Sequence, residues 1–507
     1  MQCYKLASRR SLYNARVLQA DQIGEHHHSR DLEAARQNAR IVVVGAGLAG
    51  LSAAQHLLSH GFRRTVVLEA TERYGGRINT QRFGDTYCEL GAKWVKIDGS
   101  QDSMYELLRN TEGLGKQIKQ PVRTTYVKVE QEGCHIKPAM VELIDTLFRQ
   151  LCRGFKLSDR VKTGGDLQSL DNVMNYFRAE SDRIIGASFQ KPEDQLAARE
   201  IFQSLFKEFG SVLGCCLEYV NIEHITKSPV QQEKRPLYVP TGLDNVVDDL
   251  IQQLDKQHLQ TGKPVGQIQW TPAPLKSVGC LDGSLYSADH IICTLPLGVL
   301  KSFAEILFRP TLPLDKMLAI RNLGFGNPLK IYMSYKKPIS RWLKSNLRPL
   351  GTLLNSSLKK TPEHNWTQQV VEISQVQSSQ HVLEVRMGGG YYEEIEKLPD
   401  DKLMEQITGL LRRCISKHLV PYPQELLRSN WSSSACYLGG RPYFSISSSA
   451  RDVQRLAAPL GEKSPSLLFA GDATSLNGFG TIDAARSSGI REAQRIIDFY
   501  RNSKHRG

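Results

Sequence analysis

The chain has 507 residues, too many for one simple core, so two domains are expected. A hydrophobic share of 40% and a charged share of 23% place it with ordinary globular proteins, and no uninterrupted apolar run approaches the ~18 residues of a membrane span. The net charge of +13 comes from scattered Lys and Arg without a zinc-finger or basic-zipper pattern, so it reads as a basic solvated surface and not as a nucleic-acid interface.

Residues 1–39 read as an N-terminal extension. Lys5, Arg9, Arg10 and Arg16 precede the first acid, Asp21, a pattern shared with mitochondrial presequences. A plain polar extension on a cytoplasmic protein is the expectation, and a mitochondrial protein is the alternative. His26-His27-His28 lacks partner ligands at metal spacing, so no metal is expected. The ten cysteines contain no C-x-x-C and, with no secretory apolar segment, read as reduced thiols.

Ile41-Val42-Val43-Val44 is a short β-branched run, as a strand buried on both faces requires. Gly45-Ala46-Gly47-Leu48-Ala49-Gly50 follows, a G-x-G-x-x-G that passes into a helical pattern through Leu58. Strand, glycine turn and helix stand in the order of a dinucleotide fold: Gly45 for the turn, Gly47 for close approach to a pyrophosphate, Gly50 for helix–strand packing. The helix N-terminus offers free N–H groups to the phosphates. The next strand, from Arg64 to Leu68, ends in Glu69, about twenty residues on, where a carboxylate meets ribose hydroxyls.

A second glycine pair lies in Arg73-Tyr74-Gly75-Gly76-Arg77, then Glu89-Leu90-Gly91-Ala92-Lys93-Trp94. A nicotinamide dehydrogenase has no use for it. Near the other end, Ser466 to Ala470 reads as a strand leading to Gly471-Asp472-Ala473-Thr474. Thr481-Ile482-Asp483-Ala484-Ala485 then opens an amphipathic helix.

These three blocks, with Leu297-Gly298-Val299-Leu300-Lys301, Pro240-Thr241-Gly242-Leu243 and Gly326-Asn327-Pro328-Leu329-Lys330-Ile331-Tyr332, resemble the FAD-dependent amine oxidase family, spermine and polyamine oxidase branch, from about Arg40 to Tyr500. The resemblance implies an α/β Rossmann-like FAD domain of the glutathione-reductase type, assembled from 40–115, 236–310 and 455–503. An α+β substrate domain would come from 116–235 and 311–454. It implies non-covalent FAD, with Glu69 at the adenosine ribose, Arg77 near the pyrophosphate, Val265 at the adenine and Asp472 at the ribityl-pyrophosphate. Gly45, Ala46, Gly47, Gly50 and Gly471 complete the cofactor-binding set, and the helix opened by Thr481 and Ile482 would aim at the flavin pyrimidine edge. Cys436-Tyr437 resembles the covalent flavin site of monoamine oxidases, but its spacing from Trp431 is too short.

By the same resemblance Lys330 faces flavin N5 and is the catalytic residue, a lysine whose burial suits proton transfer. Trp431 stands beside the isoalloxazine. Trp94, Lys96, Phe444 and Phe479 fall in the substrate region, the aromatic rings suited to an alkylammonium. Two positions break the pattern. Lys96 occupies a place where the family offers His or Glu, and two unit charges at ~4 Å cost about 4 kcal/mol at an effective dielectric of about 20. Asp483 replaces a family His. Three functions follow: oxidation of a polyamine by hydride transfer to FAD with O2 reoxidation to H2O2, the same chemistry on another amine, or a flavin-binding protein with little turnover. The partners expected are a small amine and O2, with no nucleic acid, membrane span or obligate protein partner.

Overall fold

The computed structural model describes residues 33–95, 104–108, 124–129, 136–154, 172–227, 237–271, 276–350, 362–390, 392–415, 420–461 and 464–502. The extension before residue 33, and Lys96 with its neighbour Asp98, lie outside them.

A five-stranded parallel sheet carries the glycine turn. Its order is Leu467–Phe469, His290–Cys293, Arg40–Val44, Arg64–Leu68, Leu259–Gln260. Arg40–Val44 is central, with Val42 opposite Ile291 on one side and Val66 on the other. Its side chains alternate between two cores, as the two-residue strand period dictates. Ile41 and Val43 pack with helix Leu48–Ser59 and the C-terminal helix Ile482–Asn502. Val42 and Val44 pack with helix Leu297–Leu307 and the strands around Ile268 and Val278.

That second core also takes Ala319 and Ile320 of helix Leu314–Asn322 and Val453 and Leu456 of helix Ala450–Ala457. Both helices fall wholly or partly in the stretch 311–454 expected to form the substrate domain. This is a correction of that boundary: their apolar faces are covered by the dinucleotide unit, and burial decides where a helix belongs.

The second unit is built on six strands in the order Glu425–Arg428, Lys330–Ser334, Val382–Met387, Val370–Gln375, Asn346–Leu350, Thr124–Lys128. All neighbours are antiparallel except the last pair. One face, including Ile331, Met333, Ile373, Leu383 and Val385, is sealed by Leu403, Ile407 and Leu411 of helix Asp400–Ile415. The opposite face is polar: Lys330 stands opposite Arg386, Arg386 opposite Glu372, and Glu384 between Tyr332 and Ser374. Helices Pro138–Gly154, Val173–Ser188 and Pro192–Leu213 form a third cluster around Phe148, Phe177 and Phe206. The chain thus joins an α/β parallel-sheet unit to an α+β unit.

Candidate active site

The glycine turn and the polar face of the six-stranded sheet wall a single cavity of about 940 Å3. At the turn, Gly45 has φ +105, and a Cβ there would lie 2.6 Å from Thr294 Oγ1; a Cβ on Gly50 would lie 2.0 Å from the Gly45 carbonyl oxygen. Both positions exclude a side chain. Gly47 caps helix Leu48–Ser59 without a side-chain hydrogen bond, and the first turn holds no acid, so its N–H groups remain available to an anion.

Glu69 follows its strand and is pinned. One carboxylate oxygen accepts the Ala46 N–H at 2.9 Å, and the other accepts the Thr71 N–H and hydroxyl. Arg77 and Asp472 form a two-pronged ion pair at 2.8 and 2.6 Å, and Arg77 also donates to the Gly440 carbonyl. Gly471, Asp472, Thr481 and Ile482 line the same cavity, where the C-terminal helix begins, and so does Val265 with Lys263 and Gly266. A dinucleotide fits this set: two helix N-termini, a fixed guanidinium and a backbone cradle that tolerates no Cβ.

Lys330 opens its strand at the cavity wall. Its ammonium donates to the main-chain carbonyls of Glu89, at 2.9 Å, and Gly91. Tyr332 Oη donates to the same Glu89 carbonyl, and Trp431 Nε1 donates to that of Leu90. Three side chains therefore hold the segment Glu89–Gly91. Burial lowers Lys330 to about 8, because the charged form loses hydration. Trp431 is buried, lines the cavity, and meets Tyr437 edge-on at 5.0 Å.

Beside them is a pair that the motifs did not reveal. Lys93 Nζ donates to Glu384 Oε2, and the same ammonium stands 5.5 Å from the Trp94 ring centroid and 5.8 Å from that of Tyr238. Burial alone would raise the Glu384 carboxyl, but Lys93 and Lys330 hold it at about 2. Further along the wall, Glu372 accepts from Arg348 at 3.0 Å and from Arg386 at 2.9 Å. Glu208 braces both arginines from the neighbouring helix. A signal existed in Val382-Leu383-Glu384-Val385-Arg386-Met387: two charges two apart in an apolar run share one face of a strand.

Two expectations need correction. Phe444 and Phe479 do not wall the cavity. They stack on each other at 4.6 Å and 20°, are 1% and 3% exposed, and belong to the core around Val42 and Val44. Rings in mutual contact leave no slot for an alkyl chain between them. Trp94 does reach the cavity, half exposed and packed on Tyr238 through the short pairing of Trp94–Val95 with Leu237–Tyr238.

The chain is 87% identical over its full length to the protein anon-37Cs of Drosophila melanogaster, covering all of that protein too. It is 28% identical to the bovine peroxisomal N(1)-acetyl-spermine/spermidine oxidase, over 93% of this chain and 97% of that one. Among solved structures it superposes on a redesigned putrescine oxidase with a TM-score of 0.67 at 17% identity, covering 90% of this chain and 99% of the other. The sequence profile of flavin containing amine oxidoreductases matches residues 48–497, a span that holds Gly50, the Arg77–Asp472 fork and Lys330. The chain belongs to the flavin containing amine oxidoreductase family, with FAD as its cofactor.

Proposed function

We propose that the protein is an FAD-dependent oxidase of an aliphatic amine. The observation that carries this reading is Lys330, a half-buried lysine on the wall of the flavin cavity, its ammonium bonded to the Glu89 and Gly91 carbonyls and lowered by desolvation to about 8, where a proton can move. FAD, when bound, supplies a two-electron acceptor for the carbon beside the amine nitrogen, with O2 then taking the electrons to give hydrogen peroxide. The chain's own residues do the rest. Helix N-termini, Gly45 to Gly50 and the Arg77–Asp472 fork bind the anionic end of the cofactor, and Lys330 and Trp431 shape the wall where an amine loses its proton. The Cys436 thiol is raised by burial and by the Glu69 carboxylate. A thiol kept protonated is a weak nucleophile, which supports FAD held without a covalent bond. A flavin carrier with little turnover has no use for Lys330.

The names of the 28% relatives support a polyamine such as spermine, spermidine or an acetylated derivative. A second reading, an amine of lower charge, is favoured by one observation: Lys93 already neutralises Glu384. The test is direct. Purified protein should be yellow, acid should release its FAD, and spermine, N-acetylspermine or spermidine should bleach the flavin anaerobically and yield peroxide in air. If no amine of any kind bleaches the bound flavin, the oxidase reading is wrong.

A further inference from the structure

A buried carboxylate flanked by two aromatic faces is the arrangement that binds an alkylammonium ion. The cavity wall carries one such group: Glu384, whose bound ammonium stands 5.5 Å from the Trp94 ring and 5.8 Å from that of Tyr238, the two rings 5.8 Å apart and tilted by 59°. The ammonium in it is the protein's own. Lys93 reaches in from the segment before Trp94, its side chain 14% exposed and that of Glu384 only 4%. Both residues line the cavity together with Lys330.

The other carboxylates of the described wall are also engaged. Glu372 serves Arg348 and Arg386, Asp472 serves Arg77, Glu69 holds the Ala46 and Thr71 N–H groups, and Asp483 accepts the Met104 N–H. A polycation entering here would meet the Lys93 ammonium, and among the described residues Glu384, Glu372 and Asp472 already serve cations of the protein itself. Like charges at such range repel strongly in a partly desolvated cavity.

We propose that Lys93 is a built-in occupant of an ammonium subsite formed by Glu384, Trp94 and Tyr238, and that its presence selects amines whose reacting nitrogen is their only positive charge over polycations such as spermine. The proposal rests on the amine-oxidase reading for the word substrate, but the subsite itself does not depend on turnover. Shortening the lysine vacates a tethered-ligand site, and a free alkylammonium should then fill it.

The experiment uses the FAD-loaded full chain, wild type, Lys93→Ala, and Lys93→Ala combined with Glu384→Gln. Each is titrated with n-butylammonium and with spermine, reading the melting temperature and the flavin absorbance. Lys93→Ala should gain melting temperature with n-butylammonium and bind spermine roughly tenfold or more tightly than wild type, an increment of about 1.4 kcal/mol, with the gain shrinking as salt rises. The double variant should lose both gains. If Lys93→Ala fails to fold, n-butylammonium present during refolding should restore its yield, and absence of that rescue overturns the proposal. So does a Lys93→Ala protein whose spermine affinity matches wild type, or a gain that survives Glu384→Gln. Failure of every amine to bleach the flavin would defeat the oxidase reading separately, leaving the melting-temperature result to judge the subsite.

Discussion

The ammonium of Lys330 is held 2.9 Å from the main-chain carbonyl of Glu89, a second bond to Gly91 leaving one N–H for the cavity that the lysine lines. Burial disfavours its charged form, so it loses its proton near 8 instead of near 10.5. A neutral amine can accept a proton and an ammonium cannot. The rate of flavin reduction should therefore rise with pH through about 8 and level off above it. Lys330→Met should lack that limb and react about 10²–10⁴-fold more slowly while still holding FAD. Anaerobic stopped-flow across pH 6–10 checks this, and an unchanged pH profile in the variant would remove Lys330 from the chemistry.

Arg77 spans both oxygens of Asp472 and the Gly440 carbonyl, a task that needs a planar fork. Arg77→Lys keeps the charge and loses the fork. FAD affinity should fall by about tenfold, measured as flavin fluorescence released on dilution. Equal retention by the variant would make the pair a structural clasp with no share in cofactor binding.

Gly50→Ala would force a methyl to 2.0 Å from the Gly45 oxygen and 3.2 Å from Val43 Cγ1, so helix and strand must separate. The variant should purify colourless and melt several degrees below wild type. Gly409→Ala is the control, since its Cβ meets nothing within 4 Å inside helix Asp400–Ile415. That change should instead stabilise by about 0.5–1 kcal/mol. Thermal melts with FAD absorbance recorded alongside separate the two.

Glu89 sits 3% exposed, its carboxylate accepting the Leu243 N–H at 2.6 Å and the Thr80 hydroxyl at 2.9 Å. Burial raises it to about 6 against an ordinary 4.5. The folded state binds this proton more tightly than the unfolded chain, so stability is favoured below 4.5 and is lost as pH rises toward 6. Glu89→Gln imitates the protonated acid at every pH. It should be more stable than wild type by on the order of 1–2 kcal/mol above pH 6, with the gap closing below 4.5. Urea melts at pH 4.5 and 7.5 test the sign; a constant gap would assign the effect to packing.

The dinucleotide end was legible because its signals are local. Ile41 to Gly50 encodes strand, turn and helix within one stretch, and Glu69 lies one strand further on. The amine end was not, because its partners are distant: Lys93 meets Glu384 across 291 positions, and no spacing rule connects them. Phe444 and Phe479 show a different failure. Aromatic residues near a site read alike whether they face it or each other, and only the stacked geometry tells which. Which core takes helices Leu314–Asn322 and Ala450–Ala457 is not legible either, since an apolar helical face does not say which core will cover it.

The parallel sheet that bears the glycine turn begins with Arg40–Val44 and is completed by Leu467–Phe469, and the Arg77–Asp472 clasp joins positions 395 apart. During synthesis the early strand, turn and helix therefore emerge long before the strand and helix that finish their cavity. Chain growth at about 5–20 residues per second leaves the edge of Arg40–Val44 that His290–Cys293 covers open for roughly 12 seconds or more. Such an interval asks for a chaperone or a slow collapse, since an uncovered β-branched edge strand is an aggregation template. Cofactor loading must follow release of the last helix, so the supply of free FAD at that moment, and not during elongation, governs how much chain matures.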